Sequence, residues 1–215
     1  MQTNQSKGGV LICFAVKEEA SPFRPLVANR PDIRILVTGM GAQNTRNAFA
    51  AALAEGKPST VITCGYAGGL NPALAPESLV LSVDTNFPLT QKLLHTGARL
   101  GTYHCATKVA ITAQEKAALY AQSKCDAVEM ESGIIRQMSA EQGIPSATFR
   151  VISDAANENL PLNFNELMTP QMTMDFGKIA WALMKSPGKI PELMRFGNRV
   201  KSSAKKLGEA LAKAL

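Results

Sequence analysis

Short apolar runs without charge, separated by turns rich in glycine and proline, occupy most of the first 150 residues. Val10–Val16 is such a run, stopped by Lys17, Glu18 and Glu19, and its β-branched, uncharged character predicts a strand buried on both faces. Ile33–Val37 predicts a second strand, leading into Thr38-Gly39-Met40-Gly41. A helix should follow from near Asn44 or Thr45, with Ala48–Ala54 as its body and Gly56 and Pro58 as its stop. Thr60–Thr63 predicts the next strand, running into a turn at Gly65–Gly69, and Leu79–Val83 and Lys108–Thr112 predict two more. Ala127–Met130 reads as a strand end that passes into a helix over Glu131–Gln142, closed by Gly143 and Pro145. Thr148–Ile152 reads as a further strand, ending at Ser153-Asp154.

Strands alternating with helices predict a layered α/β sheet, largely parallel, and in such sheets ligands gather at the carboxyl ends of strands. The turns after Val37, Thr63 and Ile152 lie at such ends, and Glu19 lies just past a fourth. The last fifth of the chain has another pattern. A helix around Met172–Met184 should break at Ser186-Pro187-Gly188, and a second should start near Pro191. In it Ile190, Leu193, Gly197, Val200, Ala204, Leu207, Leu211 and Ala214 recur every three or four residues, an apolar seam opposite a cationic face.

At 215 residues, 46% hydrophobic and 19% charged, the chain suits one globular domain over 1–215, with 186–215 as a basic helical extension. Aromatics are only 6%, so aliphatic side chains and Met must fill the core. The polar start Gln2–Lys7 is the one stretch that reads as disordered. Cys13, Cys64, Cys105 and Cys125 are scattered, and with His95 and His104 they form no zinc pattern, so neither metal nor cofactor is expected and a reducing cytoplasm fits. Val10–Val16 is too short for a signal segment, and no apolar stretch is long enough to span a bilayer. The net charge of +6 would suit nucleic acid. From Lys185 onward, however, eight basic residues stand against two acids, so the excess belongs to the tail and no nucleic-acid partner is expected.

Gly39-Met40-Gly41 superficially resembles a dinucleotide-binding turn, but Asn44 holds the third glycine position and apolar Val61–Thr63 stands where the ribose acid should be. Either a tight strand-to-helix turn or a backbone that approaches ribose or phosphate remains. Gly65-Tyr66-Ala67-Gly68-Gly69 either shapes a turn or lets a ligand reach a cradle of N–H groups. In Asp126–Ser132, carboxylates flank an apolar junction, which is costly unless they are partnered. Glu131 either favours the helix dipole or accepts hydrogen bonds from two sugar hydroxyls, with Met130 against the ribose face. Asp154 either caps a turn or works as an acid, and Glu18 and Glu19 are either solvated or functional. Together three strand ends present carboxylates to one rim, an array suited to a sugar whose transition state is oxocarbenium-like.

On Ala15–Glu19, Thr38–Gly41, Thr63–Pro72, Ala127–Ser132 and Arg150–Ala155, in order over roughly 10–164, the chain resembles the nucleoside phosphorylase/nucleosidase superfamily, which includes methylthioadenosine/S-adenosylhomocysteine nucleosidase. The resemblance implies a single three-layer α/β/α domain with a central mixed sheet and an enzyme that cleaves an adenosine-type nucleoside. By it Asp154 protonates N7 of the purine, Glu131 grips the ribose hydroxyls beside Met130, and Glu19 directs water. Met40 and Phe164 meet the 5′ side, and Tyr66, Ala67, Gly68, Glu129 and Ser153 complete the expected substrate contacts. Tyr66 replaces the serine of the GSAGG form, the chain looks shorter between Thr112 and Cys125, and no aromatic matches the one that stacks on the base.

A closer likeness, in Ala127–Ser132, Arg150–Ala156 and Met184–Pro191, is to the hopanoid-associated phosphorylase-like group, whose expected activity releases adenine from adenosylhopane. The partners implied are a nucleoside, water or phosphate as co-substrate, and further copies of the chain in a homo-oligomer. Hydrolysis is favoured over phosphorolysis because Thr63 and Tyr66 offer no charge near Gly65–Gly69 and Glu19 repels phosphate. Arg24 and Arg46 are the cations that phosphorolysis would have to draw inward. A non-catalytic lipid-nucleoside binding protein is the other class that these features allow. For the tail, packing on the chain's own domain or on a partner subunit competes with peripheral contact at the inner membrane face.

Overall fold

The computed structural model describes residues 8–215, so the polar start Gln2–Lys7 lies outside the described residues. In chain order the elements are β1 (Val10–Phe14), α1 (Lys17–Ala20), β2 (Ile33–Val37), α2 (Ala42–Glu55), β3 (Thr60–Gly69), β4 (Leu79–Val83), α3 (Thr90–Leu94) and β5 (Arg99–Leu100). There follow β6 (Tyr103–Cys105), α4 (Ala113–Ser123), β7 (Ala127–Glu129), α5 (Ser132–Glu141), β8 (Ser146–Asp154), α6 (Phe164–Leu167), α7 (Phe176–Lys185) and α8 (Ile190–Ala214).

The sheet runs β2-β1-β3-β8-β4-β5, with β7 joining the far end of β3 and β6 joining β7. β2, β1, β3 and β8 are mutually parallel, whereas β4 is antiparallel to β8 and β7 antiparallel to β3. The sheet is therefore mixed. Alternation along the strands explains the uncharged runs, since successive side chains point to opposite faces. Leu11, Cys13 and Val61 pack with Phe49 of α2 and Ile135 of α5. Ile12, Phe14, Ile62 and Cys64 pack on the other face with Phe23 and with Leu207, Leu211 and Ala214 of α8. Both faces are covered, giving three layers, α/β/α.

Several expectations are corrected. Gly65–Gly69 is not a turn: β3 continues through it, pairing with β8 to Ala67 and, after a register shift, with Asp154 and β7. Lys108–Thr112 is not a strand, because Thr112 caps α4, a helix that hydrophobic pattern alone did not signal; the Thr112 hydroxyl accepts from the Glu115 N–H. β5 and β6 went unpredicted because they are short and carry Arg, Tyr and His. The helix expected from Met172 begins only at Phe176, where Asp175 caps it, and Met172 itself has φ +59°.

The tail divides in two. From Ser203 onward the predicted seam is buried on the chain's own sheet layer. A methyl on Gly208 would stand 3.1 Å from the Phe23 nitrogen, so glycine eases the close approach of α8 to that backbone. From Ile190 to Ser202 no residue of α8 is buried. Among the described residues no helix is long and apolar enough to cross a membrane.

Candidate active site

One cavity of about 240 Å³ opens at the carboxyl ends of β1, β3 and β8. All the residues expected at the site from sequence line it: Glu19, Met40, Tyr66, Ala67, Gly68, Glu129, Met130, Glu131, Ser153, Asp154 and Phe164. Arg24 and Arg46 do not; both are exposed at the surface.

Glu19 reaches the site because α1 is a single turn after β1. Its carboxylate folds back to accept the Ala15 and Val16 N–H groups at 3.0 and 3.2 Å on Oε2. Oε1 accepts the Tyr66 N–H of β3 at 2.8 Å. Burial raises the Glu19 pKa above the usual carboxylate range, although the Arg150 charge and these three N–H groups pull the other way. Sequence pattern alone does not distinguish Glu18 from Glu19; in the fold only Glu19 turns inward, while Glu18 is exposed.

Arg150, in the middle of β8 and fully buried, is the centre of the polar floor. Its Nη2 donates to Glu129 Oε2 at 2.6 Å, to Thr63 Oγ1 at 3.2 Å and, more distantly, to Glu131 Oε2 at 3.5 Å. Nη1 reaches the Tyr66 carbonyl at 3.4 Å. The expectation of no charge near Gly65–Gly69 is thus corrected: a guanidinium lies directly against that segment. Gly65, at φ +142°, makes room for it, since a methyl there would come within 2.4 Å of Glu19 Oε1 and 2.8 Å of Arg150 Nη1.

Glu129 and Glu131 differ although two residues apart. Glu129 Oε2 also accepts the Glu131 and Ser132 N–H groups, and Oε1 accepts the Ser132 hydroxyl. Burial alone would raise its pKa, but Arg150 and these donors together hold it below the usual value. Its oxygens are spent on Arg150 and the start of α5. Glu131 keeps only the Gly41 N–H, at 3.2 Å on Oε1, and the long contact to Arg150. Burial pushes its pKa up to about 7 against the pull of Arg150, with Glu129 and Glu19 adding repulsion. A carboxylate with unfilled acceptor sites facing a cavity is the one available to a ligand.

Asp154 closes the other end. Ser153 Oγ donates to Oδ1 at 2.5 Å, and Oδ2 is ion-paired with Lys116 of α4. Lys116 is fully buried, and its Nζ also donates to the carbonyls of Ala155 and Glu158 at 2.9 and 2.8 Å. Three acceptors match the three protons of an ammonium. Sequence reasoning misses this residue. Lys116 shares the inward side of α4 with Leu119 and Tyr120, but that helix has no hydrophobic pattern that announces it in the sequence. The mouth of the cavity is apolar. Phe164 packs on Phe196 of α8 with ring centroids 6.0 Å apart, and Val109, Ala110 and Leu160 line the wall. Phe196 is likewise unforeseen at the site.

The sequence profile of the phosphorylase superfamily matches residues 25–99 and 88–185. The chain belongs to this superfamily. No curated protein sequence matches it. Among solved structures, futalosine hydrolase of Helicobacter pylori superposes with a TM-score of 0.72 at 15% identity, covering 97% of each chain. The 5′-methylthioadenosine/S-adenosylhomocysteine nucleosidase of Campylobacter jejuni gives 0.71 at 15% identity, over 96% of this chain and 98% of its own. The corresponding nucleosidase of Colwellia psychrerythraea, solved with adenine, gives 0.70 at 15% identity, over 97% and 94%. At these identities the likeness is one of fold, and it includes the mixed three-layer sheet and the long last helix of this superfamily member.

Proposed function

We propose that the chain is a purine nucleosidase that hydrolyses the N-glycosidic bond of an adenosine-type nucleoside and releases adenine. The observation that carries this reading is the meeting of Glu19, Glu131 and Asp154, all buried, around one cavity whose guanidinium is already matched by carboxylates. In the reaction, Asp154 delivers a proton to N7 as the bond between C1′ and N9 breaks. Lys116 pairs with the carboxylate that Asp154 then becomes. Glu131 accepts hydrogen bonds from the ribose hydroxyls. Water adds to C1′ and passes its proton to Glu19. Solved superfamily structures named as nucleosidases, one holding adenine, support this choice of chemistry.

Hydrolysis is favoured over phosphorolysis by charge. Arg150 is the buried guanidinium at the floor, and its partners Glu129 and Glu131 with nearby Glu19 leave it no surplus of positive charge for a phosphate, while Lys108, the other cation of the lining, is exposed to solvent. The apolar mouth formed by Met40, Phe164 and Phe196 fits a nucleoside with an apolar 5′ substituent. Adenosylhopane is the lipid-linked case to which the sequence resemblance points. A binding protein without turnover is disfavoured because a buried lysine–aspartate pair is expensive to keep for binding alone.

The test is adenine release from adenosine, methylthioadenosine and an adenosine with a long alkyl 5′ substituent, each with and without phosphate. Free ribose or its 5′-substituted form, at a rate independent of phosphate, is expected. Asp154→Asn should lower release by about 10²–10⁴-fold in protein that circular dichroism shows to be folded, the stability lost with the Lys116 pair being read separately by melting temperature. A sugar 1-phosphate product refutes hydrolysis, and near-normal turnover by Asp154→Asn refutes the assignment of the acid.

A further inference from the structure

The segment that contributes Phe196 to the cavity wall also concentrates exposed apolar surface. Of the six large hydrophobic residues that stand well exposed among the described residues, four fall within fourteen residues: Trp181, Met184, Ile190 and Met194, between 41% and 75% exposed. Trp181 and Met184 are one helical turn apart on α7, and Ile190 and Met194 one turn apart on α8. Only Ser186 and the turn Pro187–Lys189 separate the two helices. From Gly177 to Lys185 no residue of α7 is buried, although the helix is strongly apolar on one side. Such a concentration of exposed apolar side chains marks an interaction surface.

The charge around these residues indicates the partner. From Lys178 to Lys201 six basic residues stand against the single acid Glu192, a surplus of five in a chain whose net charge is +6. Lys185 Nζ lies 4.8 Å from the centre of the Trp181 ring, so cation and indole share one face. Arg199 is matched by Glu158 at 2.9 Å. Lys178 and Lys189 reach the backbone carbonyls of Glu166, Met168 and Pro161, which tie the segment to the rim around Phe164 without cancelling its charge. Below, α8 is anchored in the core from Ser203 onward. The result is an apolar edge flanked by lysine and arginine, with an aromatic that suits the headgroup layer.

We propose that α7 and the first half of α8 dock on the anionic surface of a lipid bilayer, with Trp181, Met184, Ile190 and Met194 entering the headgroup layer and the cavity mouth facing it. The contact is peripheral, since no described helix can span. A second copy of the chain is the competing occupant, and the cationic surplus disfavours it, because two such faces brought together would repel. This inference goes beyond the nucleosidase reading and does not depend on turnover.

The experiment is co-sedimentation of the full chain with vesicles of pure phosphatidylcholine and with vesicles containing phosphatidylglycerol, at low and high salt. Binding to the anionic vesicles, weakened by roughly tenfold or more in high salt and absent from the neutral ones, is expected. Two double variants separate the contributions: Trp181→Ser with Met194→Ser, and Lys185→Glu with Arg195→Glu. Each should abolish binding while retaining the wild-type circular dichroism and melting temperature, since all four sites are exposed. Failure to bind anionic vesicles at low salt overturns the proposal, as does binding that both variants retain. A wild-type dimer in light scattering that Trp181→Ser with Met194→Ser converts to monomer, without vesicle binding, overturns it in favour of the second copy.

Discussion

Replacing Glu131 by glutamine separates stability from function at this site, and its size follows from the geometry. Glu131 is 6% exposed, so solvent screens its charge little. Its pKa rises from 4.5 to about 7 in the folded protein, about 2.5 units, chiefly through burial. At about 1.4 kcal/mol per unit this amounts to about 3 kcal/mol of free energy. The sign follows from proton counting: between pH 4.5 and 7 the folded state binds more protons here than the unfolded state. The stability associated with Glu131 is therefore greatest below pH 4.5, falls as pH rises through that window, and stays low above 7.

Glutamine removes this titration with little else disturbed. Its carbonyl oxygen can still accept the Gly41 N–H, and the attraction to Arg150 that it gives up acts over 3.5 Å, while Glu129 keeps that guanidinium at 2.6 Å. In urea unfolding Glu131→Gln should be more stable than wild type at pH 8 by about 1–3 kcal/mol, with the two converging towards pH 4.5. The same variant should lose roughly 10–100-fold in kcat/KM for adenine release, as charge-assisted hydrogen bonds to the ribose become neutral ones. Wild-type kcat/KM should itself decline as pH falls below about 7, where Glu131 takes up its proton. A variant no more stable than wild type at pH 8, or displaced equally at pH 5 and pH 8, would refute the reasoning.

Two other substitutions test the remaining parts of the floor. Lys116→Met strands the Asp154 carboxylate, so thermal or urea unfolding should show a loss of about 3–5 kcal/mol; adding Asp154→Asn should restore much of the stability but no adenine release. Restored turnover in that double variant would show that the pair is structural alone. Gly65→Ala places a methyl 2.4 Å from Glu19 Oε1 at a backbone angle that only glycine tolerates well; a loss of about 2 kcal/mol or more is expected, with release falling more steeply than stability at 25 °C. Wild-type release by the alanine variant would show that Glu19 and Arg150 need not keep their positions.

The pattern of apolar runs is enough to locate most central strands because those strands are buried on both faces, which forces long uncharged stretches into Val10–Phe14, Thr60–Cys64 and Ser146–Ile152. The edge elements are not legible for the converse reason. β5 and β6 hold Arg99, Tyr103 and His104 on partly solvated surfaces, where no hydrophobic period is required. Glycines mislead in one place: Gly65–Gly69 has the composition of a turn, yet the residues are small so that an extended strand can pass Glu19, Arg150 and Asp154 closely. The carboxylates of the site are legible because each stands at or just past the end of a strand. Lys116 and Phe196 are not, since each comes from a helix whose docking depends on tertiary structure. Arg150 is visible within its motif, but only the fold shows that it links Glu129 and Glu131.

The electrostatics of the floor favour a ligand that develops positive charge over one that carries negative charge. Asp154 and Lys116 offset one another, whereas Glu19, Glu129 and Glu131 share the single charge of Arg150. Of the three, Glu129 is held ionised by direct contact with the guanidinium and the helix start, and it leaves Glu19 and Glu131 short of compensation. Burial raises the pKa of both, and the pull of the one guanidinium does not offset it. Filling the cavity with a neutral ligand would deepen it by removing water, but positive charge developing on a sugar ring between the two carboxylates would relieve it. The stabilisation would then be larger in the transition state than in the bound ground state, which is the condition for catalysis. A floor built for an anion would hold unmatched buried cations, whereas Lys108, the cation of the lining besides Arg150, is exposed. In this cavity Arg150 has been surrounded before any ligand arrives, and the carboxylates it cannot satisfy are those that face the ribose in the proposed reaction.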